Sequence, residues 1–220
     1  MRLKTLEEAT LIEILHHIHR KHPELISSLN LYEIDGFDDW KGRDFDVPVP
    51  RQVKLATLIR HSITNAVWIE TGTHRGDTTD VLGNIASRVF SLEPMNELFD
   101  FATVRFANRE NITILNGTSE VELPKLLAAL RGRLNLWLDG HYSGDGTFAG
   151  PNDTPLLAEL STIDTFSNNF DCCAVFIDDI RLCGRRHAYG DYPSLDYLVD
   201  WARRGGWTWG IEYDIFIAKK

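Results

Sequence analysis

The chain has 220 residues, 43% of them hydrophobic and 25% charged, with a formal net charge of −9. That length supports one good core, and the composition excludes a disordered chain. The acidic balance disfavours nucleic acid and an anionic membrane surface as partners, since both need clustered Lys and Arg; a small molecule fits better.

The N-terminal stretch "MRLKTLEEATLIEIL" mixes charge into its apolar residues, unlike a signal peptide, and no segment is long enough to span a bilayer. Residues 5–19 predict a helix, with Thr5 and Glu8 as a capping box and Leu11, Ile14, Leu15 and Ile18 on one face. Its His16, His17 and His19 read as a polar flank. Residues 30–50 are acidic and aperiodic and carry Tyr32, Phe37, Trp40 and Phe45. They form either a connection packed over the core or a lid over a site. Together residues 1–50 are expected to be an N-terminal helical cap and lid, and residues 51–220 a Rossmann-like domain.

Pro50 opens a helix that runs to about Ser62, and strands and helices then alternate. Strands are predicted at 66–70, 88–93, 112–117, 134–139 and 172–179. The helices between them start near Thr78, at "MNELFDFATVRFA", at "VELPKLLAAL" and at "DTPLLAELSTIDTF", the last capped by Asp153 or Thr154 with Pro155 in its first turn. "YPSLDYLVDWARRGG" is a further helix, and "WTWGIEYDIFIAKK" reads as a closing antiparallel hairpin. Such alternation implies a parallel sheet covered on both faces, with ligands outside the carboxyl ends of its strands. Those ends carry Glu70, Glu93, Asp139, Asp178 and Asp179. Cys172, Cys173 and Cys183 are odd in number, and two are adjacent in a strand. A disulfide framework is therefore not expected, and a reducing, cytoplasmic compartment is.

Three groupings carry candidate chemistry. The first is "ETGTHRGDT", where Gly72 and Gly76 lie between a strand and a helix as in a nucleotide cradle, with Glu93 at the end of the next strand able to accept both hydroxyls of a ribose. The spacing is G-x-x-x-G, which argues against NAD; the plainer alternative is two loop glycines and a surface acid. The second is Asp139, Asp178 and Asp179. Three close anions call for a cation, and hard oxygen ligands suit Mg2+, Ca2+ or Mn2+. Separate helix caps or Arg partners, with Arg181 nearby, are the alternative. The third is His141, a general base toward a hydroxyl or else a hydrogen-bonding loop residue. Gly144, Gly146 and Gly150 make the loop after it permissive.

From about Val53 onward the chain resembles the class I S-adenosylmethionine-dependent methyltransferases. "ETGTHRG" corresponds to their glycine-rich first motif, Glu93 to their ribose-binding acid and the closing hairpin to their reversed last strand. "WLDGHYSGDGT", "DTPLLAEL", "FIDDIR" and "YPSL" are similar in layout to metal-dependent sugar O-methyltransferases of the macrocin O-methyltransferase type. The resemblance implies an α/β, doubly wound, Rossmann-like sheet of about seven mostly parallel strands with a C-terminal antiparallel hairpin. It implies S-adenosylmethionine bound by Glu70, Gly72, Thr73, Gly76, Thr78 and Asp139, with Glu93 on the ribose and Thr118 and Ser119 beside the adenine. It implies Mg2+ on Asp139, Asp178 and Asp179, and a hydroxyl of a small molecule or sugar as acceptor. His141 stands where the sugar enzymes have Asp, and with Asp139 it would be catalytic. The residues alone also allow a metal-assisted hydrolase using the Asp/His cluster, or an inactive methyltransferase-like binding module. A homo-oligomer is compatible with either.

Overall fold

Seven strands form one sheet in the order β3-β2-β1-β4-β5-β7-β6. The computed structural model describes residues 36–140, 148, 154–184 and 192–220. The predicted helix over 5–19 with its histidines, Tyr32, the loop from His141 with its glycines, and Asp153 lie outside them.

Five apolar runs become parallel strands because both of their faces are covered: β1 Val67–Thr71, β2 Arg88–Glu93, β3 Ile112–Asn116, β4 Gly132–Leu138 and β5 Phe170–Ile177. The hairpin strands are β6 Thr208–Glu212 and β7 Ile215–Lys219, and β7 pairs antiparallel with both β5 and β6. Helices α1 Phe37–Gly42 and α2 Arg51–His61 precede the sheet. The connections are α3 Asp77–Ile85, α4 Asn96–Arg105, α5 Ser119–Ala129, α6 Leu156–Phe166 and α7 Leu195–Arg204.

The two-residue period of a strand divides the core. Trp68, Val89, Trp137, Phe176 and Ile217 face the side covered by α2, α3 and α4, where Leu55, Leu58, Ile59, Leu82 and Ala102 meet them. Ile69, Leu92, Leu136, Val175 and Phe216 face α5, α6 and α7, packing on Leu123, Leu160, Leu198 and Trp201. Asn135 is the polar exception inside the β4 run and is fully buried. Its amide accepts the Ile63 N–H and donates to the Ile63 carbonyl, both at 2.9 Å, so it fastens the segment after α2 to the sheet. The burial is affordable because both ends of the amide are paired.

The segment before α2 is more ordered than its aperiodic sequence suggests. Trp40, at 2% exposure, packs with Val49 and Val53, and its ring meets Phe45 at 5.0 Å and Tyr213 of the β6–β7 turn at 5.9 Å. Over residues 36–50 these aromatic contacts match the reading of a connection packed over the core.

Candidate functional site

The strand order fixes where a ligand can enter. β1 lies between β2 and β4, so the chain leaves β1 toward one side while β4 delivers its loop from the other. The crevice opens between those two loops, at the carboxyl ends of β1 and β4.

The first wall is the turn from β1 into α3. Gly72 has φ +87, and a Cβ there would lie 2.5 Å from the Asp139 carbonyl oxygen. Gly76 has φ +81, and a Cβ there would strike the Phe106 ring at 2.5 Å. Both positions therefore exclude a side chain, Gly72 because the two loops touch backbone to backbone. The Asp139 N–H in turn donates to the Thr71 carbonyl at 3.1 Å.

Glu93 reaches this turn. One of its oxygens accepts the His74 N–H at 2.7 Å and the other the Met95 N–H at 3.0 Å. The residue is 3% exposed, and burial raises its carboxyl above the ordinary range while the two N–H donors oppose the rise. The Gly72 and Thr73 N–H groups both donate to the Leu92 carbonyl, at 3.1 Å, and the Gly76 N–H to Thr73 at 2.8 Å. Most N–H donors that could grip a phosphate are thus spent inside the protein, and Asp77 and Asp80 add negative charge in the first turn of α3.

Glu70 and Thr73 point inward. Glu70 Oε2 accepts from Thr79 at 2.5 Å and from Ser91 at 2.6 Å, and the Ser91 hydroxyl also meets that of Thr73 at 2.6 Å. Burial pushes the Glu70 carboxyl up to about 8, against the pull of the two hydroxyls. The hydroxyl that serves Glu70 is that of Thr79; its neighbour Thr78 is half-buried and stands at the crevice side of the helix start.

The second wall comes from β4 and β5. Their pairing stops at Leu138 and Ile177, so Asp139, Asp178 and Asp179 follow the strands rather than end them. Alternation would point Asp178 and Asp179 to opposite faces. Asp179 instead adopts a left-handed conformation, φ 54, ψ 38, and both carboxylates reach one ammonium. Lys54 Nζ, from α2, lies 2.7 Å from Asp178 Oδ1, 2.8 Å from Asp178 Oδ2 and 2.7 Å from Asp179 Oδ1. Arg181 binds Asp179 and Asp214, with Nη2 at 3.0 Å from Asp179 Oδ2. Burial, with the nearby Asp139 charge, raises the Asp178 carboxyl well above its usual range. Burial also disfavours the Asp179 charge, but Lys54 and Arg181 outweigh it and hold that carboxyl low. The two aspartates keep Lys54 protonated in spite of its burial.

This arrangement departs from the expected metal centre. The described residues contain no group of three His, Cys, Asp or Glu side chains placed to hold an ion. The cation that the clustered acids demand is an internal one, together with Arg181. The residues present do not fit Mg2+, because the donor oxygens of Asp178 and Asp179 already serve an ammonium and a guanidinium.

Two further residues belong to the rim. Glu159, on α6 and 2% exposed, lies against Ser119 and Thr71, and burial pushes its carboxyl up to about 7. Tyr192 stands near Asp179, Asp139 and Asp178, and its hydroxyl is raised by burial and by those charges. Thr118 caps α5 through its carbonyl, which accepts the Val121 and Glu122 N–H groups, and Ser119 is buried beside it. The structure thus gathers Gly72, Gly76, Glu93 and Asp139 at one crevice. It sends Glu70 and Thr73 beneath it and joins Asp178 and Asp179 through Lys54. Lys54 and Glu159 are rim residues that strand-end reasoning misses, since both come from helices; Tyr192 follows the "RRH" loop. His141 lies outside the described residues.

No family model matches the chain, and no curated protein does. Among solved structures it is similar to the N-methyltransferase NodS from Bradyrhizobium japonicum WM9, with 12% identity, a TM-score of 0.52, and coverage of 76% of this chain and 93% of that one. It is also similar to a chain from Clostridium thermocellum described as a candidate rRNA methylase, with 9% identity, a TM-score of 0.50, and coverage of 76% and 94%. At such identities the likeness is one of fold. The chain has the Rossmann-like methyltransferase fold, a mostly parallel seven-stranded sheet with a reversed C-terminal strand and flanking helices.

Proposed function

We propose that the chain is an S-adenosylmethionine-dependent methyltransferase that transfers the methyl group to a hydroxyl of a small molecule or sugar. One observation carries this reading: a buried carboxylate, Glu93, meets the backbone of the glycine turn at the crevice where the sheet reverses its strand order. A nucleoside fits such a place. The turn's inward-spent N–H groups favour a nucleoside without phosphates over NAD or a nucleotide.

When bound, the cofactor would supply an electrophilic methyl on a sulfonium. The chain's residues do the rest. Glu93 accepts from the ribose hydroxyls, while the backbone of Gly72 to Gly76 lies along the methionine portion. Thr118 and Ser119 flank the adenine, and Asp139 stands between cofactor and acceptor. Glu70 serves from below, fixing the turn through Thr79 and Ser91. His141, two positions beyond Asp139, takes the acceptor proton as the oxygen attacks. Holding the two reactants in line is the main contribution, worth roughly 7–11 kcal/mol of a bimolecular barrier. No step is routed through a metal.

The net charge of −9 supports a small acceptor over a polynucleotide, although a structural neighbour is a candidate rRNA methylase. Cys172, Cys173 and Cys183 are free thiols, which supports a reducing, cytoplasmic setting. No helix among the described residues is long and apolar enough to cross a membrane. Calorimetry with S-adenosylhomocysteine and with NAD tests the reading. The homocysteine nucleoside should bind and NAD should not; the reverse result, or no binding of either, refutes it and returns the hydrolase to favour.

A further inference from the structure

We infer that the Lys54 ammonium is the resident cation of the acceptor rim, occupying the place between Asp178 and Asp179 that a divalent ion would take, so that this protein works without a metal. The inference rests on the methyltransferase reading for what the cation serves, but its geometry does not.

The donors are arranged around the ammonium as they would be around an ion. Asp178 offers both oxygens and Asp179 one, at 2.7, 2.8 and 2.7 Å. Asp179 needs its left-handed backbone to bring its carboxylate round to the same side. Such a conformation is uncommon outside glycine, and here it lets two consecutive residues share one partner. The remaining Asp179 oxygen is held by Arg181, which also binds the buried Asp214. The carboxylates are thus neutralised pair by pair, and their side chains are 6% and 9% exposed. A dication entering this place would have to displace the ammonium into a region where it has no second acid to meet, and the displaced charge would be desolvated without a partner.

Lys54 is also well placed to stay. It sits on the first turns of α2, a helix whose Val53, Leu55, Leu58 and Ile59 are each at most 2% exposed. The helix is further pinned by the Asn135–Ile63 pair. The ammonium is 17% exposed, and an ammonium has three donors. Asp178 Oδ2 and Asp179 Oδ1 take two of them with hydrogen-bond geometry, which leaves one for an acceptor oxygen. A single fixed positive charge then does what a bound ion would do for a hydroxyl: it favours the more negative form of the oxygen.

The test is Mn2+ titration of the full-length protein followed by electron paramagnetic resonance, with S-adenosylhomocysteine calorimetry in parallel. The wild type should take up no stoichiometric Mn2+ at millimolar concentration. K54M should gain Mn2+ affinity by at least about tenfold, since the two acids lose their cation. Both proteins should bind the homocysteine nucleoside alike. Stoichiometric Mn2+ on the wild type that D178N or D179N abolishes overturns the inference; uptake indifferent to both substitutions falls elsewhere and counts with no uptake. A folded K54M that still takes up no Mn2+ also overturns it. If K54M does not fold, the wild-type titration decides. Loss of nucleoside binding in the wild type would instead overturn the methyltransferase reading and leave the cation assignment standing.

Discussion

Glu93 closes on the backbone of His74, with 2.7 Å between its Oε2 and the amide nitrogen. This one hydrogen bond ties the end of β2 to the turn after β1, two loops that otherwise meet only through the Leu92 carbonyl. Glu93→Ala should weaken S-adenosylhomocysteine binding at least about tenfold and cost about 1–3 kcal/mol of stability, because two buried N–H groups lose their acceptor. Glu93→Gln retains an acceptor and should recover part of the stability but little of the affinity. Calorimetry and urea unfolding separate the two effects; equal affinity in all three proteins would remove the ribose role.

Gly72→Ala offers a second check, of the backbone and not of a side chain. The methyl would lie 2.5 Å from the Asp139 carbonyl on a residue with φ +87. Strain and overlap together should cost at least ~2 kcal/mol in chemical denaturation. Nucleoside affinity should fall with it. A neutral substitution would mean that the two loops are free to move apart.

Glu70 makes stability depend on pH in a definite direction. Its carboxyl keeps its proton in the folded state up to about 8, against 4.5 in an unfolded chain. Below pH 4.5 both states are protonated and nothing is lost. As pH rises through that window the unfolded state releases a proton that the folded state retains, so stability declines until about pH 8 and is then level. At ~1.4 kcal/mol per pH unit the loss amounts to a few kcal/mol. Glu70→Gln keeps acceptors for Thr79 and Ser91 and carries no proton to lose. Its thermal unfolding should decline less than that of the wild type between pH 5 and 8. Parallel profiles would show that the buried carboxyl is ionised.

Arg181→Ala leaves Asp214, at 1% exposure, and Asp179 without their guanidinium. Removing one member of a buried charged group costs about 3–5 kcal/mol. Arg181→Lys should restore only part of that, because an ammonium does not fork toward two carboxylates. Urea midpoints for the two variants measure the difference.

Much of this was legible along the chain. The runs at "AVWIE", "RVFSLE" and "LNLWLD" announce parallel strands because burial on both faces demands continuous apolar residues, and the acids that stop them mark the rim. The glycine pair and Glu93 follow from the same logic. Lys54 does not, since it meets Asp178 across 124 residues of sequence and looks like any polar residue of an amphipathic helix. Nor does the left-handed turn at Asp179, which cancels the alternation that a strand would impose. Glu159 hides for a similar reason: helical spacing carries its acid under the loops, where Thr71 and Ser119 meet it. The expectation of a cation among the aspartates came from charge alone, and charge alone does not say whether that cation is an ion or a side chain.

The backbone contact between Gly72 and Asp139 has a consequence for grafting. The two halves of the sheet abut there through main-chain atoms, with no side chain interposed. A foreign segment spliced in after Gly140 would therefore meet the same platform whatever its sequence, provided Thr71, Gly72, Asp139 and Gly140 stay. Chimeras cut at that seam would exchange the acceptor-facing portion and inherit the nucleoside-facing one intact.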